Sequence, residues 1–145
     1  MKNERIKAFT LIEVLVTIAL IALLAVITIV AINPSKNFAD SRNAQRSADV
    51  AEILSAITQY TSENGNSLAG LGTIATCPSV TTIGTGGGNV NLSAILVDAY
   101  IIAMPLDPSV GSAANTGYTA CKTTTGRVTI SAPNAENGKL IAVKR

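Results

Sequence analysis

In residues 14–32 the only polar side chains are Thr17 and Thr28. These 19 consecutive residues, wound as a helix at about 1.5 Å per residue, match a hydrocarbon layer of about 30 Å. One membrane-inserting helix that begins near Phe9 is therefore the first expectation. Residues 33–145 remain for everything else, and a core that small is marginal by itself. Packing against a long helix, a covalent staple or neighbouring subunits would each help to hold it.

Charge sorts the chain the same way. The formal net charge is +2 and the pI about 8.7, and Lys2, Arg5 and Lys7 against Glu4 supply the whole excess. From Phe9 onward eight basic residues balance eight acidic ones. A neutral body with two phenylalanines, three tyrosines and no tryptophan lacks the field and the stacking platforms of a nucleic-acid binder, so no nucleic-acid partner is expected. The basic start should stay on the cytoplasmic side, which places the rest of the chain, with Cys77 and Cys121, in an oxidising space. A disulfide between these two is expected, against two buried free thiols. It would stabilise a small domain by up to about 4 kcal/mol. With no histidine and no C-x-x-C pair, neither a metal nor a cofactor is expected.

The pattern divides the chain into a polar leader (1–8), an apolar helical half (9–32), an amphipathic helical half (33–64) and a small cap (65–145). Asn33-Pro34 predicts a kink or a break, with Pro34 as its cause. Val50, Ile53, Leu54, Ile57 and Tyr60 fall on one helical face, and Asn64-Gly65 is a stop signal. Residues 65–91 are rich in Gly, Ser and Thr and read as loop with short extended pieces around Cys77. Asn91 is expected to cap a short helix running to Tyr100. Strands are expected over 118–123, 127–132 and 139–144, with turns at Thr125-Gly126 and Asn137-Gly138. The fold class is α+β: a long kinked N-terminal helix, with a small antiparallel sheet of three or four strands laid on the face of Ile53 and Ile57.

Glu13 carries the most chemical information, because a carboxylate in a membrane-inserting segment is costly without a partner. It either caps its own helix, helped by the macrodipole, or pairs with a cation. Cleavage ahead of Phe9 would create such a cation as a new terminal ammonium, in the same helix or in a neighbour's. A secretory signal peptide is the competing account of the N-terminus, but no A-x-A pattern ends the apolar run. Gly84-Thr85-Gly86-Gly87-Gly88 is read as a flexible loop, since no Lys-Ser or Lys-Thr follows to make it a phosphate loop. Asp98 and Asp107 are read as isolated surface carboxylates rather than as a general acid and base or as calcium ligands.

The run Ala8-Phe9-Thr10-Leu11-Ile12-Glu13-Val14 resembles the cleavage and methylation site of type IV prepilins and related pseudopilins. In that family a membrane peptidase cuts before the phenylalanine and methylates its new amine, and a glutamate is retained four positions on. The resemblance implies cleavage between Ala8 and Phe9, an N-methylated Phe9, Glu13 as the assembly carboxylate and Thr10 as the small polar residue beside it. Ala8 stands where the family has glycine, a departure that bears on the speed of processing. The likeness is close through residues 7–32. It continues more weakly at Arg42, Arg46 and residues 60–65, and at Pro105-Leu106-Asp107-Pro108 and Tyr118.

The resemblance implies a non-enzymatic structural subunit of a type IV pilus-like filament. Its implied partners are copies of itself, a prepilin peptidase, an inner-membrane assembly platform with a cytoplasmic ATPase, and membrane lipid. It would wait as a single-pass inner-membrane protein with an extracytoplasmic cap, and later lie in an extracellular or envelope-spanning filament. The alternatives are a pseudopilin of a type II secretion system or of a competence pseudopilus and, more remotely, a single-pass membrane protein with an exported binding domain.

Overall fold

In the computed structural model, which describes residues 9–145, Thr10 has an extended backbone and caps helix α1 (Leu11–Ile32). Its 22 residues give a length of about 33 Å. The mean hydropathy of its apolar window is 3.1, and no residue of α1 is buried. Its two hydroxyls are satisfied within the helix: Thr17 Oγ1 donates to the Val14 carbonyl at 2.8 Å and Thr28 Oγ1 to the Ala25 carbonyl at 2.9 Å. Every polar group along the middle of α1 is thereby paired locally, as an apolar solvent demands.

The helix then breaks at the Asn33-Pro34 pair, and the turn falls on Asn33. Its backbone is left-handed (φ 45°, ψ 72°), a conformation that asparagine tolerates better than most residues. Pro34 opens α2 (Pro34–Glu63), where its fixed φ and missing N–H cost nothing. The Asn33 carbonyl accepts from the Lys36 and Asn37 amides, and Asn37 Nδ2 donates back to the Ile32 carbonyl at 3.0 Å. The break expected at Asn33-Pro34 thus falls on Asn33, which a following proline disfavours in the α region, with Pro34 as the first residue of the next helix.

By its contacts the chain forms two compact units, one up to Asn37 and the other Phe38–Arg145. In the second, α2 buries Ala39, Asn43, Arg46, Val50, Ile53, Leu54, Ala56 and Ile57, a face at three- and four-residue spacing. Its lower part joins the core with Leu71, Ile74, Ile83, Leu92, Leu96, Tyr118, Val128 and Ile130. The last turn ends at Glu63, and Gly65 and Asn66 follow at positive φ.

Four antiparallel strands lie in chain order: β1 (Thr81–Thr82), β2 (Thr119–Lys122), β3 (Val128–Ser131) and β4 (Ala142–Lys144). Ala120 faces Thr81 on one side and Ile130 on the other, and Ile130 faces Val143. β1, two residues long, is a short extended piece in the loop stretch after Cys77. The third expected strand starts late, because the Lys139 amide turns back to the Glu136 carbonyl. The helix expected from Asn91 to Tyr100 is only α3 (Ser93–Leu96), whose N-cap is Leu92 with no side-chain cap. Val97 is extended and Asp98 left-handed at φ 68°, which stops it after one turn. Cys77 and Cys121 are joined by a disulfide with their Cα atoms 5.2 Å apart, stapling the segment before β1 to β2.

Candidate functional site

At the head of α1 the backbone amide and hydroxyl of Thr10 both donate to Glu13 Oε2, at 3.1 and 3.2 Å, while Thr10 Oγ1 accepts from the Glu13 amide at 3.3 Å. This reciprocal arrangement is a capping box: two of the amides that a helix start leaves without partners are satisfied, and the carboxylate sits at the positive end of the macrodipole. Both bonds fall on Oε2, and within the described residues Oε1 accepts nothing. Phe9 stands 84% exposed just before the cap. Phe9, Leu11, Val14, Leu15 and Ile18 line an open apolar surface beside it. The geometry thus offers one carboxylate oxygen and, four residues before it, an exposed aromatic ring, beside an uncovered apolar wall that runs on to Ile18. Ala8 lies outside the described residues, so the cleavage assigned between it and Phe9 is an expectation from the sequence.

A second constellation lies in the other unit, and the sequence did not identify it. Arg46 is fully buried in α2. Its Nε and Nη2 donate to the two oxygens of Asp107 at 2.8 and 3.2 Å, and Nη2 also reaches Ser109 Oγ at 2.9 Å. Nη1 donates to Glu136 Oε2 at 2.8 Å and to Asn43 Oδ1 at 3.1 Å. All five guanidinium N–H groups are therefore used. Arg42 adds a forked pair to Glu136, and Asn43 bonds the Glu136 backbone in both directions.

The electrostatics follow from these contacts. The hydrogen bond to Asp107 holds the Arg46 pKa above its usual value in spite of burial. For Asp107, burial pushes the pKa up, but the Arg46 bond and the amides of Ser109 and Val110 outweigh it and the net shift is downward. Arg42 first, and then Arg46, hold Glu136 down at about 2. Nearby, Tyr118 is raised by burial and by donating its hydroxyl to Asp49. With every guanidinium donor of Arg46 internally satisfied, the cluster is a clamp on α2 rather than a place for a ligand.

This corrects the reading of Asp107 as an isolated surface carboxylate. It is 3% exposed, ion-paired and committed to two backbone amides, so it is available neither as an acid nor as a calcium ligand. Asp98 is exposed, and its backbone amide closes a turn with Ile101. The glycine-rich run is pinned rather than loose. The amides of Thr85 and Gly86 donate to the Ala113 and Ala114 carbonyls, each at 2.9 Å, so they cannot cradle a phosphate. Gly84 is required there, since a Cβ would meet the Ala114 carbonyl oxygen at 2.3 Å. Arg46 and Asp107 were visible in the sequence only as scattered points of resemblance. An arginine on the extension of an apolar helical face was the signal that could have exposed them.

A family model described as the prokaryotic N-terminal methylation motif matches residues 4–32. That stretch takes in Phe9, Thr10, Glu13 and all of α1. No curated protein and no solved structure matches the chain.

Proposed function

We infer that this chain, which carries the signature of type IV pilins and pseudopilins over residues 4–32, is the structural subunit of a type IV pilus-like filament. The observation that carries the reading is Glu13, set four residues after Phe9 at the capped head of a helix with no buried residue.

In this mechanism a peptidase cuts between Ala8 and Phe9, and the new Phe9 amine is methylated. The mature subunit rests in the membrane through α1. An incoming subunit brings Glu13 Oε1 toward the Phe9 ammonium of one already assembled, while Oε2 stays in its own capping box. Pairing both charges out of water favours one register, and apolar packing between α1 helices supplies most of the cohesion. Self-association, the peptidase, an assembly platform with its ATPase, and an extracytoplasmic cap all belong to this proposal.

The test is intact-mass and N-terminal analysis of membrane-extracted protein, together with filament recovery from a Glu13→Val strain. A mature chain starting at methylated Phe9, and a variant that inserts but forms no filaments, are expected. A chain that keeps Met1, or normal filament yield from the variant, overturns the proposal. Whether loss of the gene abolishes surface fibres or blocks protein secretion separates a pilus from a secretion pseudopilus.

A further inference from the structure

The unit Phe38–Arg145 is well packed within, yet it leaves two large apolar side chains bare at one end. Leu140 is 98% exposed and Phe38 is 64% exposed. Both belong to the part of the unit built around the first turns of α2. Phe38 lies one turn after Pro34. The segment before Leu140 is bolted to the next turn: Asn137 Nδ2 donates to Asp40 Oδ1 at 3.3 Å, Lys139 Nζ approaches the same oxygen at 3.5 Å, and Arg42 and Asn43 hold Glu136. Three residues of one loop, Glu136, Asn137 and Lys139, are thus fixed against residues 40–43, and Leu140 is carried out at its edge.

We propose that this end of the unit, through Leu140 and Phe38, docks on the surface of the bilayer that α1 spans. The inference rests on reading α1 as a membrane span. Chain continuity supplies the occupant: Ile32 ends the apolar helix, and Phe38 follows six residues later. Any part of the unit tied to residues 38–43 is therefore tethered beside the membrane at high effective concentration. The chemistry fits the interface as well. Isolated apolar side chains flanked by lysine enter the boundary between headgroups and acyl chains, while the lysines stay with the phosphates. Lys36 flanks Phe38 in that way, and the acids close by are committed: Glu136 to Arg42 and Arg46, Asp40 to Lys139. The expected partner is lipid with anionic headgroups. Such docking would keep the waiting subunit's cap against the membrane until assembly lifts it away.

The experiment uses the full chain with one environment-sensitive fluorophore on a single introduced cysteine, the disulfide leaving no native thiol free among the described residues. Leu140→Cys is the test site. Thr124→Cys, in the turn between β2 and β3, is the reference, since that turn adjoins Thr61 at the far end of α2. Ala22→Cys in α1 reports the span. Each variant is placed at one chain per nanodisc of phosphatidylcholine and phosphatidylglycerol, with nitroxide lipids as quenchers. Headgroup nitroxide is expected to quench position 140 at least about twofold more than position 124, as shallow interfacial insertion requires. Acyl-chain nitroxide should quench position 22. Quenching at 22 with equal signals at 140 and 124 overturns the docking and leaves the span standing. No quenching at 22 overturns both. A signal at 140 that arises only with several chains per disc assigns this end to a second copy and overturns the lipid proposal.

Discussion

The guanidinium of Arg46 and the carboxylate of Asp107 meet through two hydrogen bonds in a site closed to solvent, with 1% and 0% of their side chains exposed. Removing one partner leaves a buried charge uncompensated, at a cost of about 3–5 kcal/mol. Arg46→Ala and Asp107→Ala should each lower the guanidinium unfolding midpoint by a matching amount. Arg46→Met combined with Asp107→Leu should lose less than either single variant. A double variant as unstable as the sum of the singles would show that the two residues act independently.

The same cluster makes stability depend on acid. The folded pKa of Glu136 is about 2, below its ordinary 4.5, so the unfolded chain takes up the proton first as pH falls. Its contribution is complete above about pH 4.5 and is lost as the pH falls through about 2. Asp107, also lowered, acts in the same direction. Thermal melts across this range should fall more steeply for the parent than for Glu136→Gln, which cannot titrate there. Identical slopes would remove Glu136 from the acid response.

Gly117 lies beside this pair at φ +84°, and a Cβ added there would stand 2.5 Å from the Asp107 Cβ. Gly117→Ala should therefore destabilise the unit by more than about 1 kcal/mol, from backbone strain and displacement of Asp107 together. Gly126, also at positive φ but with open space around its Cβ position, is the comparison that isolates backbone strain. Equal losses at both glycines would show that the Asp107 approach costs nothing.

The disulfide closes a loop across a sequence separation of 44. Chain entropy puts its contribution at about 4 kcal/mol, a large share of the stability of so small a domain. Cys77→Ser combined with Cys121→Ser should shift the urea midpoint accordingly without changing the native sheet. Unchanged midpoints under reducing and oxidising conditions would argue against a stabilising bridge.

Glu13 can be tested for two roles separately. Glutamine also completes a capping box, so Glu13→Gln keeps the helix start while removing the charge. Thr10→Ala does the reverse, at a cost to the helix start of about 1 kcal/mol. If charge pairing drives assembly, Glu13→Gln should abolish filaments and Thr10→Ala should reduce them only modestly. The opposite order, counted on electron micrographs, would make capping the function of this carboxylate.

The apolar helix and the lower face of α2 were legible in the sequence because their causes are local. A run of apolar residues and a period of three to four need no partner to be recognised; the Thr10-x-x-Glu13 box is as local, yet it was read only from the structure. Tyr118 and the two later strands were legible as alternating segments between turn residues, although the turn at Lys139 delays the last one. Asp107 was misjudged because nothing near it in sequence explains its burial.

By itself the sequence determined a membrane-length helix with a carboxylate at its head, and a neutral α+β cap behind it. Tertiary structure alone decided that the glycine-rich run is tied down and that Arg46 lies at the centre of a clamp. The reason is distance along the chain: the partners of Arg46 stand 61 and 90 residues away, and only folding brings those charges out of water together.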